Sequence, residues 1–203
     1  MATVTKTVAT SVLSLQQMAA LGTLKSAVQT VTTKFAAQLG VHLGRDDTGG
    51  ALPVGVTFRV EASMKSSGDD QWFPLAEYTS GTTTPSDELL TAGSEPAGST
   101  VLECANTTGF TAGDLILIKN TTIANSEFAR IVSIVTNTSV TVLDAITNAQ
   151  TGSTIYDQAE FWSPVVDLLN VTRLRLHADA SFTGGTGRTV VIEAYMNTCD
   201  SIG

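Results

Sequence analysis

From Phe35 onward the chain alternates. Phe35, Ala37, Leu39, Val41 and Leu43 share one side of an extended segment, and Ala36, Gln38, Gly40, His42 and Gly44 share the other. A period of two over a run of this length predicts a half-buried strand. The pattern returns three times. Val54, Val56, Phe58, Val60, Ala62 and Met64 alternate with Arg59, Glu61 and Ser63; Leu174 and Leu176 alternate with Arg173, Arg175 and His177 inside 171–178; and 189–196 reads as a further strand. Between these runs lie clusters rich in Asp, Gly and Ser: Arg45-Asp46-Asp47-Thr48-Gly49-Gly50, Ser66-Ser67-Gly68-Asp69-Asp70 and Thr183-Gly184-Gly185-Thr186-Gly187. Such residues make tight turns, so the runs are expected to be antiparallel neighbours in a meander or jelly roll.

Other segments depart from this texture. Leu13 to Leu21 (LSLQQMAAL) carries a helix signature, with Ser14 as N-cap, Gln17 at N3 and Gly22 as the stop, and predicts two helical turns. Residues 1–12 alternate Thr with Val4, Val8 and Val12, have Lys6 as their one charge, and lack any large apolar side chain beyond Met1. They are expected to form an extended arm. Ser80 to Gly98 reads as loop. Beyond it five short strands, at Thr100–Cys104, Asp114–Ile118, Glu127–Val135, Ser139–Leu143 and Ser153–Tyr156, crowd together with turn residues between them. That spacing describes a small barrel-like module. The expected organisation is all-β: an arm over 1–12, a jelly-roll-like β-sandwich from 13–96 and 158–203, and a five-stranded barrel-like module, 97–157, inserted in one of its loops. Insertions at exposed loops are tolerated when their ends lie close together.

Composition narrows the function. The 203 residues include 32 Thr and 17 Ser but only 15% charged residues, well under the usual quarter. Thr is β-branched and sits well on a pleated surface, which strengthens the all-β reading. The formal net charge is −8. With no basic stripe to displace counterions from a phosphate backbone, nucleic-acid binding is not expected. No apolar run reaches the roughly 18 residues of a membrane helix, and the first residues lack the basic and apolar regions of a secretory signal. Cys104 and Cys199 form no CxxC pair and are expected to be reduced, part-buried thiols.

The module carries a resemblance. Gly109-Phe110-Thr111-Ala112-Gly113-Asp114-Leu115-Ile116, the run Arg130-Ile131-Val132-Ser133-Ile134, then Val140-Thr141-Val142 and Leu143-Asp144 resemble a small β module common in structural proteins of tailed bacteriophages. The pattern is a GF–x–x–GD entry, an arginine-bearing strand, a T/S–V–T–L/V strand and a closing acidic turn. Val41-His42-Leu43-Gly44-Arg45 and Phe58-Arg59-Val60-Glu61-Ala62-Ser63, with Trp72 after the Gly-Asp turn, are similar to virion proteins of marine and environmental phages. The resemblance implies a virion component made in the host cytoplasm, with the major capsid protein or other virion proteins as partners and self-association. A capsid decoration (cement) protein, a neck or tail component, and a glycan-binding fibre module all fit it.

Candidate chemistry is sparse. No GxSxG, HExxH or Walker loop occurs, so no catalytic residue, cofactor or metal site is expected. His42 and His177 lie opposite the apolar faces of their strands and read as solvated or hydrogen-bonded side chains. Asp46-Asp47, Asp69-Asp70 and Asp87-Glu88 lack the spaced pattern of a calcium loop and read as turn chemistry. Trp72, Tyr78 and Trp162 could line a glycan groove but adjoin apolar neighbours, which favours anchoring in the core. The partner-binding candidates are Val4, Lys6, Val8 and Val12. Their side chains look too small to hold a place in this protein's own core, so the arm is expected to pair with a neighbouring subunit's sheet edge.

Overall fold

The computed structural model describes residues 4–6, 8–19, 22–46, 55–90, 95–180 and 189–202; residues 47–50 and 183–187 of two expected turns lie outside them. Among the described residues the only helical turn is a short 3-10 segment, Ile123–Asn125, and everything else that is regular is strand. The chain begins with β1 (Val4–Lys6), β2 (Thr10–Ala19), β3 (Thr23–Lys25), β4 (Gln29–Thr30), β5 (Ala36–Arg45), β6 (Thr57–Ser63) and β7 (Phe73–Thr79). It continues through β8 (Asp87–Leu89), β9 (Val101–Glu103), β10 (Leu115–Lys119), β11 (Glu127–Val135), β12 (Ser139–Val142) and β13 (Thr154–Tyr156). It ends with β14 (Glu160–Trp162), β15 (Val165–Asp167), β16 (Arg173–Asp179) and β17 (Thr189–Ile202).

Three antiparallel sheets result. In the first, β1 and β2 lie end to end along one side of β17, β5 lies on its other side, and β14 and β15 lie end to end along β5. In the second, β3 and β4 lie end to end beside β16, followed by β6 and β7. The chain passes between these two sheets repeatedly, and the last long strand returns beside the first. This is the double Greek key of a jelly roll. Its core is built from the alternating positions: Leu39, Val41 and Leu43 of β5 and Val190, Ile192 and Ala194 of β17 face Phe58, Val60 and Ala62 of β6 and Leu174 and Leu176 of β16. The expected all-β, jelly-roll-like sandwich is present.

The third sheet runs β8-β13-β10-β11-β12-β9. Its first and last strands meet where Leu90 bridges Cys104, so the sheet curls into a closed small barrel. Leu102, Ile116, Ile118, Ile131, Val140 and Ile155 fill it. All five strands expected between 100 and 156 form. The stretch expected as loop does not stay a loop: Asp87–Leu89 pairs with β13 and Glu95 bridges Gln150, so the barrel sheet begins within that stretch. Three residues of strand flanked by Pro and acidic side chains leave little alternation to see.

The helix expected over 13–21 is a strand. Thr10–Ala19 lies along β17, from Ala19 opposite Thr189 to Thr10 opposite Met196. Val12, Leu13 and Met18 are buried in the jelly-roll core, and Gln17, expected at N3 of a helix, donates to Asp46. The cap signals were locally valid, but a ten-residue ladder on β17 satisfies more backbone groups than two helical turns, whose end groups need outside partners.

The barrel stands on the outward face of the first sheet. Leu117 is fully buried yet takes no part in the barrel core, while Ile116 and Ile118 beside it do. It points at Gly44 of β5, where an added Cβ would lie 2.7 Å from Leu117 Cβ and 3.0 Å from the Phe128 ring. Val191, in register with Gly44, is likewise buried outside the sandwich core. Glycine at 44 lets the two units close to van der Waals contact.

Candidate functional site

The partner-binding candidates occupy one edge. Val4 lies opposite Ile202, Thr5 opposite Ser201 and Lys6 opposite Cys199, so the arm's own chain supplies a sheet for it. Val12 is buried with Leu13 in the jelly-roll core. The expectation that the arm has no place in its own protein is therefore corrected for Val12 and for the backbone of Val4–Lys6: β17, fourteen residues long, extends past β5 and offers pairing to both β1 and β2. Val8 stands apart, 88% exposed between β1 and β2.

At the junction of the two units an aromatic cluster has formed. The His42 ring lies 5.1 Å from Phe128 and 4.8 Å from Phe161, centroid to centroid, and its Nδ1 bonds Glu193 Oε1 at 3.0 Å. A cleft of about 330 Å³ opens beside it, lined by Leu115, Arg130, Leu143 and Asp144 among others. Two of its charged groups are engaged: Arg130 donates to the Gly113 carbonyl, and Glu127 accepts from Thr147, Asn148 and Gln150. Beneath the junction, Asp46 accepts from Gln17, Thr189 and, at 2.7 Å, from Lys119 of the barrel. Its carboxylate has no solvent exposure, so this is a tie between the units and not a free acid.

The outward face of the second sheet carries a charged lattice. Arg175 bonds Glu61 and Asp69, Arg59 bonds Glu77, and His177 Nδ1 bonds Glu61 Oε1 at 3.1 Å. Burial opposes ionisation of Glu61, but hydrogen bonds from Arg175 and His177 outweigh it and hold the carboxyl below its ordinary 4.5. The hydrogen bond from Arg175 lowers Asp69 as well. Trp72 lies under two guanidinium groups, Arg175 at 4.0 Å and Arg173 at 4.9 Å, and its Nε1 donates to Asp69.

Neither histidine sits beside a nucleophile, and both are hydrogen-bonded strand residues as the sequence suggested. The three aromatics do not gather in one groove. Tyr78 and Trp162 stack on each other at 5.8 Å and pack against the jelly-roll core, and the Tyr78 hydroxyl donates to Glu160. Burial and that carboxylate push the Tyr78 hydroxyl up to about 12. Trp72 is on the opposite, outward side of the second sheet, covered by arginine. No cluster of His, Cys, Asp and Glu able to hold a metal occurs among the described residues, and both cysteines are free thiols, Cys104 buried and raised by that burial.

Sequence reasoning missed the junction. Phe128 and Phe161 look like ordinary strand residues, and nothing near His42 in the chain points to residues 86 and 119 positions further on. The one usable signal was Gly40 and Gly44 on the polar side of β5. Phe161 crosses 3.1 Å from a Cβ added at the first, and Leu117 fills the space at the second.

No protein-family model matches the chain, and no curated protein matches it. Among solved structures it is similar at low level to VP17, a capsid protein of bacteriophage P23-77, with 10% identity over 98% of this chain and 100% of that one at a TM-score of 0.21. The complex of the two major capsid proteins of the same phage, VP16 and VP17, gives 12% identity over 92% of this chain and 98% of that one at a TM-score of 0.20.

Proposed function

We propose that this chain is a non-enzymatic structural protein of a bacteriophage virion, and within that class a capsid decoration or cement protein that stabilises the head through repeated lattice contacts. The observation that carries the reading is architectural: a jelly roll bears a second closed barrel, whose sequence resembles a tailed-phage β module, seated on its outer sheet. At that seat Lys119 of the barrel is paired with the buried Asp46 of the jelly roll, and Glu127 is taken up by donors within the barrel. The partners in this reading are the major capsid protein or other virion proteins and further copies of the chain. The edge carrying Val4, Lys6, Val8 and Val12 is its contact surface. Polar, weakly charged β surfaces suit such contacts, each modest alone and strong through repetition.

A neck or tail component is the nearest rival, and a glycan-binding fibre module the next. The second loses support because Trp72, Tyr78 and Trp162 are each engaged within the protein. Copy number in purified particles decides among them. Hundreds of copies per particle accord with a capsid lattice, about a dozen with a neck or vertex, and multiples of three or six along a tail with a tube or fibre. A few copies together with saturable binding of host polysaccharide would replace the proposal with the receptor reading.

A further inference from the structure

On the outward face of the second sheet guanidinium groups meet carboxylates, Arg175 with Glu61 and Asp69 and Arg59 with Glu77. At the cleft beside His42 that pairing stops. Arg130, exposed on β11, gives its Nη1 to the Gly113 carbonyl and has no carboxylate partner among the described residues. Asp144, exposed in the bend after β12, has no donor among them. The two line one cleft without pairing with each other. Apolar surface lies between them. Leu115, Leu143 and Ile146 contribute to it, and Leu143 is 60% exposed. Phe161 lies on His42 and over Gly40 yet is 51% exposed, which leaves one face of its ring open to the cleft. The seam between the units continues past Phe128. A second cleft, of about 400 Å³, shares Glu127 and Phe128 with the first and is lined by Ser11, Ser14, Asn148 and Tyr195 among others.

From this combination we propose that the seam is a binding site for a neutral saccharide, with the cleft of Arg130, Asp144 and Phe161 as its centre. A sugar ring carries hydroxyl groups that both donate and accept, and a face of polarised C–H bonds. Its hydroxyls accept from Arg130 and donate to Asp144, and its C–H face lies on the electron-rich face of the Phe161 ring. Charge chooses against the other small ligands. A cation meets Arg130, and an anion meets Asp144 and Glu127 on a chain of net charge −8. A wholly apolar ligand covers Arg130 and Asp144 without replacing the water bonded to them, which costs more than it returns. A concave surface with an aromatic wall and a few convergent polar groups is the general form of a small-molecule site. In the second cleft Ser11, Ser14 and Asn148 add uncharged donors and acceptors and Tyr195 a second exposed ring, so an oligomer gains contacts that a single sugar lacks. None of Trp72, Tyr78 and Trp162 takes part. The site is independent of the virion role, which particle copy number tests separately; saturable binding at high copy number satisfies both.

Titration of the full chain's amide NMR signals with glucose, galactose, mannose, N-acetylglucosamine and a linear trisaccharide of each tests it. The expected result is saturable binding of at least one trisaccharide, with a dissociation constant between about 0.1 mM and about 10 mM and tighter than its monosaccharide. The shifted amides should cluster in 127–130, 143–146 and 160–162. A neutral ligand should bind with less than a twofold change from about 50 to about 500 mM NaCl. The double variant Arg130→Ala with Asp144→Ala should weaken binding at least tenfold while its other amide signals stay in place. Asp70→Ala, on the far side of the jelly roll, should leave binding unchanged. The proposal is overturned if no sugar of the set saturates by about 50 mM, if the shifts fall away from the seam, or if the double variant binds as well as wild type. Glucosamine or glucuronate binding more than tenfold tighter than the neutral sugars overturns it as well. If the double variant fails to fold, the location of the wild-type shifts decides alone.

Discussion

Asp46 directly follows β5 with its carboxylate shut off from solvent, and three donors converge on it from β2, β10 and β17. Two of them are neutral, so Lys119 is the charge that compensates its burial. Replacing it, as Lys119→Met, leaves a buried anion with neutral donors only, and a charged hydrogen bond of this type is worth about 2 kcal/mol. The expected result is a fall in Tm of about 4–8 °C for a chain of this size, read by thermal melting. A second residue-scale prediction concerns acid. Glu61 has its carboxyl held below 4.5 in the folded state, so the folded protein binds fewer protons there than the unfolded chain. Its contribution is present above the unfolded value and is lost as pH falls through the folded one. Urea midpoints should therefore drop between about pH 5 and pH 3, and Glu61→Gln should flatten that drop while lowering stability at neutral pH. Asp157 acts in the opposite sense: burial raises its carboxyl, so its contribution is present at low pH and is lost as pH rises through the raised value.

At the scale of elements, the N-terminal strands decide how the molecule ends. Residues 1–12 read alone predict an arm whose removal leaves the free protein's melting unchanged. In the fold they supply Val12 to the core and β1 to the far end of β17. Deleting them removes a buried side chain and uncovers β17 at Cys199–Ile202 and at Tyr195 and Met196, a loss of about 2 kcal/mol or more. Tm should fall, and amides in 196–202 should lose hydrogen-exchange protection before those of β6 or β16; an unchanged melt would restore the free-arm reading. The helix signature over 13–21 failed for a related reason. Caps and propensity describe what a segment does alone, and β2 is never alone beside β17.

For the whole molecule the question is whether the barrel is a passenger. Its sheet takes in β8, so a deletion of 97–157 leaves Asp87–Leu89 without β13 and is expected to aggregate or melt broadly. A cut at 86–157 with a short Gly-Ser bridge respects the sheet. It still strips Leu117 from Gly44, opens the outward face around Val191 and leaves Asp46 without Lys119. The jelly roll should keep its β-type circular dichroism and a cooperative transition, but with about 3–4 kcal/mol less stability by urea titration. Equal stability of the cut and full proteins would show that the junction contributes nothing.

Sequence by itself determined the all-β class, the jelly-roll strands and the barrel strands, because a period of two is written wherever one face of a strand is buried. Phe58, Val60 and Ala62 or Leu174 and Leu176 name their own inward side without reference to anything else. It also determined the low charge and the absence of catalytic motifs. Tertiary structure alone decided three things: that Leu13–Leu21 is strand, that β1 pairs at home, and that His42, Phe128 and Phe161 meet. Each depends on a partner distant along the chain. β17 lies some 180 residues from β2, and β10 and β11 lie some 70 to 85 from Gly44 and His42. Local patterning records which side of a strand is buried but not what buries it, so Gly44 reads as a polar-face glycine until Leu117 lies against it.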